Sequence, residues 1–115
     1  MDYTPHQLES MMADWANRAD KAGKKWGKMA GETNSVDDRK NDVLAKLIGE
    51  TEGSSHAERD RKARCSKEWT AFRANLSTAK AGVLNLRVLY DAAIRNWETA
   101  RSLLSSANTQ RRTNT

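Results

Sequence analysis

The sequence predicts an all-α protein, and three observations carry that prediction. Apolar residues recur at alternating steps of four and three along most of the chain. Pro occurs once and Gly six times in 115 residues, too few for the turns of a β-sandwich or barrel. Ala, Leu, Lys, Arg and Glu, the strong helix formers, supply much of the remainder. A chain of this length suits one domain with one core. Residues 1–107 read as that single helical domain and 108–115 as a polar, flexible tail.

A first helix is expected over about residues 5–30. Thr4 suits an N-cap, Pro5 the first helical position, and Gln7 can return a capping-box bond to the Thr4 backbone. Leu8, Met12, Trp15, Ala19, Ala22, Trp26 and Met29 then hold a 3.5-residue period, which aims one stripe at a partner helix. Gly31 and Thr33–Asn34–Ser35 are the expected stop. A short middle helix is expected over about 36–48, with Asp37 and Asp38 favoured in its first turn by the macrodipole. Gly49 to Ser55 is polar and turn-forming.

The third helix is expected to run over about 56–107. Ser55 and Glu58 form a capping-box pair. From Cys65 through Trp69, Phe72, Leu76, Ala79 and Val83, then Leu86, Tyr90, Ala93, Trp97, Ala100, Leu104 and Ala107, the period never stutters. The register passes through Gly82, so one continuous helix is expected there, locally weakened by about 1 kcal/mol relative to Ala. Leu84, Val88, Leu89 and Ile94 lie outside the seam and widen the apolar surface beyond what a single neighbour covers. The first helix is too short to cover the third, which predicts self-association into an oligomeric bundle.

Several classes of function find little support. No apolar run approaches the length needed to span a bilayer, and Met1–Asp2–Tyr3 opens no signal peptide, so a cytoplasmic protein without a membrane partner is expected. Cys65 is the single cysteine, which excludes an internal disulfide and a multi-cysteine zinc site. His6 and His56 stand at helix starts without a metal or nucleophile spacing. Asp37, Asp38 and Asp42 read as dipole compensation rather than a Mg²⁺ site, and no phosphate-binding glycine loop is present. No catalytic residue, metal or cofactor is expected.

Charge is more informative. The net +5 is uneven: residues 1–55 carry 8 Lys/Arg against 10 Asp/Glu, and residues 56–115 carry 12 against 5. Arg73, Lys80, Arg87 and Arg101 share one heptad position beside the seam, at spacings of about 10.5 Å per heptad, broken where Ile94 occupies it. The opposite flank reads Glu68, Asn75, Gly82, Leu89, Asn96 and Leu103, so a copy of this helix offers few acids to that stripe. Lys21, Lys24, Lys25 and Lys28 form a second group around Trp26. Lysines with an interleaved aromatic suit single-stranded nucleic acid, although Trp26 lies on the apolar stripe where burial is its ordinary fate.

The basic residues beside an aromatic and alanine seam from Ala57 to Ala107, notably Tyr90, Trp97 with Glu98, and Arg101, resemble the UvsY-type recombination mediators of bacteriophages and related small helical phage proteins. The resemblance covers the C-terminal helix only; the Gly49–Ser55 turn and the acidic middle helix have no counterpart in it. It implies an oligomeric, non-enzymatic protein that binds single-stranded DNA in the cytoplasm of a phage's host. The expected function is therefore single-stranded nucleic-acid binding through Lys21, Lys24, Lys25, Lys28, Arg73, Lys80, Arg87 and Arg101. The alternative is a helical adaptor or inhibitor that docks a host or phage protein on Leu84, Val88, Leu89 and Ile94.

Overall fold

A computed structural model describes residues 3–113. Met1 and Asp2, which carry the reading of no signal peptide, and Asn114 and Thr115 of the polar tail lie outside the described residues. The chain forms α1 (Pro5–Asp38), α2 (Lys40–Glu50), α3 (His56–Arg64) and α4 (Lys67–Thr113), with no strand among the described residues. The all-α class and the long C-terminal helix packed on the N-terminal one are as the periodicity predicts.

The capping box at the start of α1 forms as expected. The Thr4 backbone N–H donates to Gln7 Oε1 at 2.9 Å, and the Gln7 N–H donates to Thr4 Oγ1 at 3.1 Å. The end differs from expectation. α1 runs through Gly31 and Thr33–Asn34–Ser35 to Asp38. The apolar stripe explains why: the next two steps beyond Met29 fall on Thr33, which is buried, and Val36, which is half-buried. Burying that face outweighs the weak local preferences of Gly31, Asn34 and Ser35, all of which face solvent. Asp37 and Asp38 consequently end α1 rather than begin the middle helix, and the chain turns at Arg39, whose side chain donates to the Ser35 carbonyl.

The expected helix over 56–107 is interrupted at Cys65–Ser66. Ser66 recaps the chain there: its Oγ donates to the Ala63 carbonyl at 2.6 Å and accepts the Trp69 N–H at 3.2 Å. Cys65, expected on the buried seam, is exposed. From Lys67 onward α4 is uninterrupted through Gly82 and continues past Ala107 through the polar residues to Thr113. Every expected seam position from Trp69 to Ala107 is buried or half-buried.

The helices group into two compact units. One comprises Lys28–Val83 and the other joins the chain up to Gly27 with that from Leu84 onward. Within the Lys28–Val83 unit, α2 and α3 pack on the start of α4 around Leu44, Ala63 and Trp69, flanked by Val43, Leu47, Ile48 and Phe72. The Trp69 and Phe72 rings stack with centroids 5.6 Å apart. Gly82 lets Met29 pack closely, since a Cβ there would lie 2.8 Å from Met29 Cε.

In the other unit the first two-thirds of α1 lies on α4. Leu8, Ala19, Ala93 and Ala100 are buried, while Trp15, Trp26, Tyr90 and Trp97 are half-buried. A Cβ on Gly23 would approach Tyr90 Cε2 to 3.2 Å, so the glycine makes room for the ring. Two helices alone have only one shared face, which is why the large aromatic side chains remain partly open to solvent.

Among the described residues, the one strongly displaced carboxyl stands at the start of α3. Glu58 Oε2 accepts from Ser54 Oγ at 2.6 Å and the Ser54 N–H at 3.0 Å, and Lys62 Nζ lies 3.1 Å from Oε1. These hydrogen bonds, from the Ser54 hydroxyl foremost, and the Lys62 charge lower its pKa from 4.5 to about 2. A lowered folded-state pKa stabilises the fold above pH 4.5, and that contribution is lost as pH falls from 4.5 toward 2. Glu58→Gln is expected to flatten the acid limb of the helicity profile in that window, as followed by circular dichroism.

Candidate interaction face

Four of the eight basic residues singled out in the sequence, Lys24, Lys80, Arg87 and Arg101, are engaged within their own unit. In the Lys28–Val83 unit, Lys80 Nζ lies 3.3 Å from Asp37 Oδ1, and Lys40 Nζ lies 3.8 Å from the same oxygen. Asp37 Oδ1 is buried without an aligned hydrogen bond, so these two ammonium groups compensate it. Arg73 and Lys28 are exposed and have no carboxylate within 4 Å among the described residues. In the other unit, Arg87 Nε lies 3.8 Å from Asp91, and its guanidinium is 5.9 Å from the Trp26 ring centre. Arg101 stacks over Trp97 at 5.1 Å. Lys24 pairs with Asp20 at 3.0 Å, whereas Lys21 and Lys25 are exposed without such a partner.

Exposed pairs such as Lys24–Asp20 and Arg87–Asp91 are worth only about 0–1 kcal/mol each and do not bar those cations from a ligand, whereas Lys80 answers a buried carboxylate oxygen. Two of the four stripe residues, Lys80 and Arg87, are answered by acids of the same chain, which the flank sequence did not reveal. Trp26 is the firmer obstacle to a stacking role. It is half-buried, and its ring lies against Tyr90 with centroids 5.6 Å apart and planes tilted by 32°.

The apolar residues outside the seam are open. Leu84, Val88 and Leu89 are 61%, 62% and 60% exposed, whereas Ile94 is half-buried. Leu84 and Val88 are i,i+4 neighbours on one face of α4. Leu103, not singled out as a contact residue in the sequence, is 43% exposed. Its position beside the seam residue Leu104 was the available signal.

Leu89 also belongs to a groove of about 470 Å³ between α1 and α4 within this unit. Leu86, Leu89 and Ala93 of α4 form one wall, Trp15 and Ala22 of α1 contribute the other, and Arg18, Lys21 and Lys25 stand along the α1 side. The Arg18 guanidinium lies 4.5 Å from the Trp15 ring centre. Sequence periodicity placed Trp15, Ala22, Leu86 and Ala93 on the seam but not the gap between the two walls. Arg18 was missed because a single Arg on a solvent-facing turn carries no pattern of its own.

His6 and His56 are exposed at the starts of α1 and α3. Among the described residues, no group of three or more His, Cys, Asp or Glu side chains gathers where a metal could bind. No helix among them is long and apolar enough to cross a membrane. No protein-family model, curated protein or solved structure matches the chain in comparison.

Proposed function

We propose that this chain is a non-catalytic helical interaction protein that docks a protein partner on the apolar face of α4. The observation that carries this reading is the exposure of Leu84, Val88 and Leu89, each about three-fifths open to solvent. Single exposed apolar residues are ordinary, but Leu84 and Val88 adjoin as i,i+4 neighbours on one face of α4, and Leu89 opens beside the groove about a quarter-turn away. Water leaves such a patch favourably when a second apolar surface covers it, at about 25 cal/mol per Å². A role beside phage recombination proteins is carried by the sequence resemblance alone.

Single-stranded nucleic-acid binding is the second reading, favoured by the unpaired cations Lys21, Lys25 and Arg73. The ring among its lysines, Trp26, lies against Tyr90 rather than standing free to stack on a base. A salt titration of retention on a single-stranded oligonucleotide separates the two. On the docking reading, retention by the unaltered chain is weak and disappears at moderate salt. Tight retention that the triple reversal Arg73→Glu/Lys80→Glu/Arg87→Glu abolishes, with helicity intact, would favour nucleic acid instead.

A further inference from the structure

We infer that the groove between α1 and α4 receives an acidic amphipathic helix of a partner protein. The inference rests on the protein-docking reading and names the partner's chemistry. Trp15 to Lys25 on one side and Leu86 to Asn96 on the other each span ten residues, or about 15 Å of helix. That length matches roughly three turns of an incoming helix rather than a compact small molecule. The floor and α4 wall are apolar, supplied by Ala22, Leu86, Leu89, Ala92 and Ala93.

Charge decides what lies in the groove. Arg18, Lys21 and Lys25 are three and four residues apart, so they line one edge over about two turns. Lys21 and Lys25 have no carboxylate within 4 Å, and no acidic residue lines the groove among the described residues. The α4 edge is uncharged, with Leu89, Ala92 and Asn96. An incoming helix with an apolar stripe and Asp or Glu along one side at matching steps would satisfy both edges.

Two other occupants fit less well. A second copy meeting this groove across a two-fold axis would bring its own Arg18, Lys21 and Lys25 against the first set. Nucleic acid would find Trp15 as the single ring in the groove, with the Arg18 guanidinium already over it.

The test uses two synthetic peptides of about fourteen residues, long enough for three to four helical turns. They share a leucine stripe and differ only in carrying Glu or Lys beside it. Each is titrated calorimetrically into the full chain and into Lys21→Glu/Lys25→Glu, whose altered positions are exposed and whose helicity is checked by circular dichroism. The acidic peptide is expected to bind the unaltered chain at least about tenfold more tightly than the basic one, a difference of about 1.4 kcal/mol. That preference should vanish or invert in the double variant and shrink as salt rises. Equal affinities, binding of neither peptide, or a preference that survives the double variant would overturn the inference. The oligonucleotide titration of the unaltered chain and the triple reversal separates the two levels. Peptide indifference with weak DNA retention that is lost at moderate salt defeats the groove alone; tight retention that persists at moderate salt and is abolished by the triple reversal defeats the docking reading as well.

Discussion

Trp69→Ala is expected to destabilise the chain by about 3–5 kcal/mol, read as a lower midpoint of urea unfolding. Trp69 is 5% exposed and shares its core with Leu44 and Ala63, the latter fully buried. Removing the indole deletes the stack on Phe72 and leaves a void at the point where α2, α3 and the start of α4 meet. The surrounding helices are short, 11 residues in α2 and 9 in α3, and gain most of their stability from this packing. Trp69→Phe keeps part of the ring contact and should recover much of the loss. A midpoint for Trp69→Ala within error of the unaltered chain would contradict this account of the core.

Leu8→Ala is the second large effect, at about 2–5 kcal/mol. Leu8 is 2% exposed and stands in the first turn of α1, just past the capping box. In the same unit the other buried residues, Ala19, Ala93 and Ala100, are small, so Leu8 contributes disproportionately to apolar burial. The control is Leu103→Ala, which trims the same side chain at a 43% exposed position and should cost well under half as much. Equal effects at the two positions would mean that Leu8 is not buried in solution.

The seam of α4 was legible to the residue from Trp69 to Ala107 because a seven-residue repeat records which positions meet a neighbour. Helix ends were less legible. Gly31 and the Thr33–Asn34–Ser35 run carry stop signals, yet Thr33 and Val36 continue the stripe, and their burial keeps α1 going to Asp38. The reverse happened at Cys65, where an unbroken register hid a turn that Ser66 caps on both sides. In each place local preference and packing pointed different ways, and a short-range signal did not say which would win.

The interaction face was legible in outline. Leu84, Val88 and Leu89 stand off the repeat in the sequence and stand open in the fold. What the sequence withheld were partners distant along the chain: Asp37 beside Lys80, Tyr90 beside Trp26, and the α1 wall opposite Leu86 and Leu89. These depend on how α1 and α4 align, which heptad positions alone leave open.

The docking claim is tested most directly by the mass of what is trapped at Val88. A photoreactive residue replaces Val88 in the full chain, with Asn17, exposed on α1, as the control position. After illumination in cells, the account predicts a discrete protein adduct at Val88 and none at Asn17. An adduct of nucleotide mass at Val88, or equal labelling at both positions, would contradict it.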